Sequence, residues 1–233
     1  MKNIVYILAF CFLLQTDLLI AQETSIAKDS IDSKYREDQF YFGITYNLLK
    51  NMPSNMTQNG FSSGFSLGFI RDMPLNDQRN VAIGLGLGYS TNSINQNLLI
   101  TQNNQNIYNY SLVENGSFSK NKITIHVLEI PLEFRWRTST PDDYSFWRIY
   151  GGIKFGYIIA AKAKYNGPPS DVKVSILDAV EKLQYGFTLS VGYDKINAHL
   201  YYGLNSLLNN KQELNNQVLE FSIIKIGLVL YIL

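Results

Sequence analysis

Residues 79–91, RNVAIGLGLGYST, alternate without interruption: Val81, Ile83, Leu85, Leu87 and Tyr89 fall on one face, and Ala82, Gly84, Gly86 and Gly88 on the other. A period of two is that of a β-strand, here with one apolar face and one almost bare. The solvent face of a soluble antiparallel sheet is polar. A face with almost no side chains suits the inside of a narrow barrel, and an uninterrupted apolar face suits lipid outside it.

The same alternation recurs about eight times. A first strand, about 40–48, sets Phe40, Phe42, Ile44 and Tyr46 against Tyr41, Gly43, Thr45 and Asn47. The second, about 61–71, sets Phe65, Leu67 and Phe69 against Gly64, Ser66 and Gly68. The fourth, about 122–137, sets Leu128, Ile130, Leu132, Phe134 and Trp136 against Glu129, Pro131, Glu133, Arg135 and Arg137. Charges on one face only decide which side is the lumen. In the fifth, about 146–160, Trp147, Ile149, Ile153, Phe155, Tyr157 and Ile159 face out, with Arg148, Tyr150, Gly152, Lys154 and Gly156 within. The sixth and seventh, about 182–193 and 195–206, place Gln184, Thr188 and Ser190, then Asn197, His199 and Tyr201, inside. The eighth, about 218–233, is apolar on both faces; Lys225 and Gly227 are placed inward, with Ile224, Ile226, Leu228, Leu230 and Ile232 outward.

Connections after the odd-numbered strands are long, roughly 12, 30, 21 and 11 residues, while those after the even-numbered ones are roughly 7, 8 and 1. This is the rhythm of an up-and-down outer-membrane barrel with long extracellular loops and both termini periplasmic. The short connections hold turn formers: Met73-Pro74-Leu75-Asn76-Asp77, Thr140-Pro141-Asp142-Asp143 and Asp194-Lys195. The Asn- and Gln-rich stretch 92–121 reads as solvated surface, not core. Phe40, Phe69, Trp136, Trp147 and Tyr193 fall at the periplasmic strand ends, and Tyr46, Phe61, Tyr89, Tyr157 and Tyr185 at the opposite ends. Two aromatic rings about one hydrocarbon thickness apart are expected at the two membrane interfaces.

Residues 1–22, MKNIVYILAFCFLLQTDLLIAQ, have a basic start at Lys2 and an apolar run from Ile4 to Leu14, the pattern of a removed signal peptide. Residues 23–39 are polar and read as a periplasmic N-terminal segment, leaving 40–233 as the barrel. Cys11, preceded by Phe10, is the only cysteine, so the mature chain is expected to hold no disulfide or thiolate site. Removing Lys2 and Asp17 from 20 basic and 19 acidic residues leaves the charge balanced at +1, which argues against nucleic acid as a partner. Charged residues are 17% of the chain, below the usual soluble proportion of about 25%, and aromatics reach 13%, as a lipid-facing belt requires.

The run Leu128-Glu129-Ile130-Pro131-Leu132-Glu133-Phe134-Arg135, followed by Tyr150-Gly151-Gly152-Ile153-Lys154-Phe155-Gly156-Tyr157, resembles the small outer-membrane β-barrel family of Bacteroidota, whose members are labelled PorT-like or porin family. The resemblance implies an outer-membrane barrel. The namesake's part in type IX secretion and gliding implies one further role, as an accessory of such a machine.

An eight-stranded barrel is just wide enough for side chains to fill. Glu129, Glu133, Arg135, Arg137, Arg148 and Lys154 are therefore expected to pair within the lumen, with His199 and Tyr201 as polar lumen groups, either as a structural plug or as a gated ion path. No cofactor and no metal site is expected. Four functions stay open. One is a non-enzymatic envelope protein, structural or presenting loops 92–121 and 161–181 to a partner. The others are a secretion accessory docking through 23–39, a lipid-modifying enzyme acting through His126 or His199, and a soluble ligand-binding barrel. Outer-membrane lipid and other envelope proteins are the expected partners.

Overall fold

Eight long segments with period-two burial form the wall. The computed structural model describes residues 38–76, 78–138, 147–209, 212–214 and 217–232. The long strands are β1 (Asp38–Lys50), β2 (Ser63–Pro74), β3 (Val81–Asn95), β6 (Lys120–Arg137), β7 (Trp147–Asn166), β9 (Leu183–Tyr193), β10 (Ile196–Gly203) and β13 (Ser222–Ile232). Between them lie the short strands β4 (Leu98–Gln102), β5 (Tyr108–Leu112), β8 (Val172–Ser175), β11 (Glu213–Leu214) and β12 (Gln217–Val218). Each long strand pairs antiparallel with the next, and β13 pairs back onto β1 from Phe40–Ile232 to Lys50–Ser222. The result is the closed, eight-stranded, antiparallel up-and-down barrel expected, with no free edge around the ring.

β1 begins at Asp38, so Gln39, placed by sequence in the N-terminal segment, is a buried inward residue of the wall. The proposed signal peptide, residues 23–37 of the N-terminal segment, and the Thr140-Pro141-Asp142-Asp143 turn lie outside the described residues. At one end of the barrel the connections are short: Asp194-Lys195 joins Tyr193 directly to its pairing partner Ile196, with Asp194 at φ 53°. The start of β1 and the end of β13 lie at this same end.

Glycines on the inner face make room for large side chains. Gly68 and Gly88 are directly paired across β2 and β3, and the Tyr41 ring of β1 lies over both. A Cβ added at Gly68 would stand 2.5–2.6 Å from ring atoms of Tyr41, and one at Gly88 would collide with its hydroxyl. The bare face of residues 79–91 is therefore space that a neighbour's side chain occupies.

The long-loop end corrects the sequence reading. Stretch 92–121, expected to be solvated, continues β3 to Asn95 and then folds into the β4–β5 hairpin, with Ile94, Leu98 and Ile100 fully buried. Stretch 161–181 continues β7 to Asn166, pairs it with β8, and buries Ile176, Ala179 and Val180. Together with Leu207, Leu208, Leu219, Phe221 and Ile223 they make one apolar core over the barrel mouth. Two of the amide side chains that suggested solvent instead satisfy backbone groups in irregular chain, while Gln102–Asn106 are exposed: Asn97 Oδ1 accepts from Thr57 N at 2.7 Å, Asn97 Nδ2 donates to Asn55 O at 3.1 Å, and Gln96 Nε2 donates to Leu98 O at 2.9 Å.

Replacing Gly88 by Val is expected to displace Tyr41 and destabilise the barrel by about 1–3 kcal/mol, the usual cost of overpacking. A lowered urea midpoint, read from heat-modifiable gel migration, is the measurement.

Candidate functional site

The inner wall carries a dense cluster of buried ionisable side chains, and alternation puts it there. On β6 every second residue from Glu129 to Arg137 points inward, and Glu129, Glu133, Arg135 and Arg137 are all buried. β7 adds buried Arg148 and Lys154, and β13 adds Lys225.

Near the short-turn end the organising group is a residue the sequence reading missed. Asp72, on β2, receives Arg135 Nη1 at 2.6 Å on one carboxylate oxygen and Arg137 Nη1 at 2.9 Å on the other. Arg135 also donates from Nε to Glu133 at 3.0 Å and from Nη1 to Gln39 Oε1 at 3.0 Å. Its guanidinium lies 4.3 Å from the Tyr150 ring centre and 5.2 Å from that of Tyr231, so aromatic faces take part of the charge. Arg137 Nε donates to Arg79 O at 2.9 Å, tying the cluster to the β2–β3 turn. Arg148 is buried directly opposite Arg137. Asp72 was detectable: the inward series Gly64, Ser66, Gly68, Ile70 reaches it next, but the Met73-Pro74 turn signal ended the strand at about residue 71, three residues before β2 ends.

Halfway up the lumen a second group forms around Glu129. Its carboxylate meets Lys154 Nζ at 3.2 Å and Lys225 Nζ at 3.5 Å and accepts a hydrogen bond from Ser90 Oγ at 2.6 Å. Lys225 also lies over the Tyr201 ring at 5.0 Å. A cavity of about 20 Å³, bounded in part by Glu129, Lys154, Gln184, Tyr201 and Lys225, has room for about one water. The structure places Glu129, Glu133, Arg135, Arg137, Arg148 and Lys154 on the inner face, in two groups to which Asp72 and Lys225 also belong. Three acids, Asp72, Glu129 and Glu133, face five bases, Arg135, Arg137, Arg148, Lys154 and Lys225.

His199 and Tyr201 also face inward on β10. His199 Nδ1 shares a hydrogen bond of 2.7 Å with Ser190 Oγ, but both residues are buried and, among the described residues, no carboxylate hydrogen-bonds to the imidazole. A Ser–His pair without an orienting acid or an open face lacks the arrangement of a hydrolytic triad. His126 instead lies on the outer wall, 2.6 Å from Tyr89 Oη. Among the described residues no group of three or more His, Cys, Asp or Glu is placed to hold a metal.

Outside, Phe40, Phe69, Trp136, Trp147 and Tyr193 project from the short-turn end, with ring centres 5.2 Å apart for Phe40–Phe69 and 5.6 Å for Trp147–Tyr193. Tyr46, which packs on Phe61 at 5.3 Å, and Tyr89, Tyr157 and Tyr185 project farther up. From Trp147 to Tyr157 the strand rises roughly 33 Å, which a tilt of about 45° reduces to about 23 Å of height. Between the two levels the wall exposes Ile44, Leu67, Leu85, Leu132, Phe155 and Leu189, among others.

Residues 20–209 match the family model described as outer membrane protein beta-barrel domain. No curated protein matches the chain. Among solved structures, the attachment invasion locus protein Ail of Yersinia pestis is 11% identical, aligning 84% of this chain with 97% of that one at a TM-score of 0.36. Ail in complex with the heparin analogue sucrose octasulfate gives 13%, 84%, 100% and 0.35. A triple mutant of the Rhodopseudomonas blastica porin gives 8%, 84%, 98% and 0.20.

Asp72→Ala would leave Arg135 and Arg137 without their shared carboxylate in a buried setting. The expected loss is about 3–5 kcal/mol, measured as the fall in unfolding free energy from urea titration of the refolded barrel, with Asp72→Glu retaining most of it.

Proposed function

Because the chain belongs to the outer membrane protein beta-barrel domain family, and so is an outer-membrane protein, we propose that it is a non-enzymatic envelope component whose lumen is plugged and whose extracellular surface engages a partner. The observation that carries this reading is the two-tier filling of the barrel. The periplasmic half holds the Asp72–Arg135–Arg137 and Glu129–Lys154–Lys225 groups, with Arg135 0% and Arg137 2% exposed. The extracellular mouth is covered by the apolar core of Leu98, Ile100, Ile176, Leu207 and Phe221, each at most 1% exposed. An ion would have to break buried ion pairs below and cross a dry, packed layer above, each a large barrier. The aromatic rings are the interfacial anchors on this reading, and lipid covers the apolar wall between them.

The residues that remain for recognition are those of the folded cap. Its hairpin tip, Asn103–Ile107, is exposed, and Ile107 is an apolar group at the apex. In planar bilayers the purified chain is expected to give no large steady conductance. Porin-sized open steps would overturn the plug.

The Leu128–Arg135 and Tyr150–Tyr157 strands favour a second reading, a PorT-like barrel of Bacteroidota, exported by way of residues 1–22 and attached to a secretion machine through residues 23–39. On that reading, deleting the segment removes specific envelope proteins from those that co-purify with the barrel. An unchanged set of co-purifying proteins counts against it.

A further inference from the structure

Above Tyr89 and Tyr157 the outer wall changes from apolar to basic along one sector. On β6 the outward positions run upward as Leu128, His126, Thr124, Lys122 and Lys120, while the alternating Ile123 and Ile125 are buried inward. On β7, buried Ala161, Ala163 and Tyr165 put Lys162 and Lys164 on the outside. The bulge opposite His126 and Val127 sets this phase, since Ile158 is inward and the outward series restarts beyond it. Lys173 of β8 continues the sector.

Strand register turns these separate residues into a ladder. Lys122 is directly opposite Lys164, and Lys164 is directly opposite Lys173. Three ammonium groups therefore lie in one row across three adjacent strands, with Lys120 one outward step above on β6 and Lys162 one below on β7. Among the described residues none of the five forms an ion pair with a carboxylate. The acid nearby in sequence, Asp171, is occupied by Asn166 Nδ2 and Gly167 N. Like charges directly opposite each other weaken a sheet, so an unneutralised row of three is a cost that a bound anion would remove.

We propose that the Lys122–Lys164–Lys173 row binds phosphate-bearing head groups of lipids in the outer leaflet. Its height selects that occupant. Leu128, which pairs with Tyr157, lies roughly 20 Å along β6 from Lys122, or about 14 Å of height after tilt. A lysine stem that reaches back about 6 Å along an apolar wall brings its ammonium to about 8 Å above the Tyr157 level, at the outer edge of a head-group layer about 6 Å thick. The lysines stand on the same β6 and β7 faces whose lower parts, Ile130, Leu128, Phe155 and Tyr157, are apolar and exposed, so a lipid whose chains lie on the belt presents its phosphate to the row. The inference rests on the outer-membrane location and not on the plugged lumen.

The test uses the full mature chain refolded into phosphatidylcholine vesicles alone, or with added diphosphoryl lipid A or its dephosphorylated form, reading the temperature at which the folded gel band converts to the unfolded one. Diphosphoryl lipid A is expected to raise that temperature by several degrees, and added salt to diminish the rise, because a ligand bound only to the folded state stabilises it. The triple variant Lys122→Gln, Lys164→Gln, Lys173→Gln is expected to lose the rise while being at least as stable as the parent in phosphatidylcholine. Lys182→Gln, a lysine paired with Asp178 at 3.8 Å in another part of the long-loop end, keeps it. An equal rise with dephosphorylated lipid, an equal rise in the triple variant, or an equal rise from soluble polyphosphate added to plain vesicles would overturn the proposal. Failure of the parent to insert into plain phosphatidylcholine would instead overturn the membrane-barrel reading itself.

Discussion

The pairing of β1 with β13 is the constraint on which everything else depends. It closes the ring, satisfies the last row of backbone groups and divides every strand into an inner and an outer face. Without closure two edges would be open, and exposed N–H and C=O groups cannot be left unpaired in lipid. With it, the outer face can be almost wholly apolar, and the charged side chains of the spanning region are forced into a lumen too narrow for a water column.

That crowding explains the style of the interior. Charges confined in a narrow lumen must meet opposite charges or aromatic faces, and they do: Asp72 holds two guanidiniums, Glu129 holds two ammoniums, and Arg135 lies against Tyr150 and Tyr231. The glycines at 68 and 88 are part of the same arrangement, since they leave the volume in which Tyr41 lies. At the mouth the constraint is relaxed, because the wall there extends beyond the apolar belt and its outer face carries Lys122, Lys162 and Lys164. The interior then follows the rule of soluble proteins and packs aliphatic side chains into a dry core.

The wall was legible in the sequence because a two-residue period is a local signal, and charge on one face of β6 fixed which side was inward. Even the ambiguous last strand followed, since Lys225 could be accommodated only inside, beside Glu129. Asp72 was lost because a Pro immediately after Met73 reads as a turn, although the strand runs through Pro74 at its end. The cap was lost for a different reason: composition described the amide-rich stretch by its majority, whereas Ile94, Leu98 and Ile100 are a minority whose partners, Ile176 and Leu207 among them, are far away in the chain. The lysine row was invisible for the same cause, because Lys122, Lys164 and Lys173 become neighbours only through strand register.

The cap is assembled from the ends of four hairpins: Leu49 and Met56, Ile94 to Ile100, Ile176 to Val180, and Leu207 to Phe221. Residues from all four pack into one cluster, so the surface they jointly display exists only once the cylinder is complete. Any molecule that recognised that composite surface would in effect be inspecting finished assembly and would overlook a half-inserted chain.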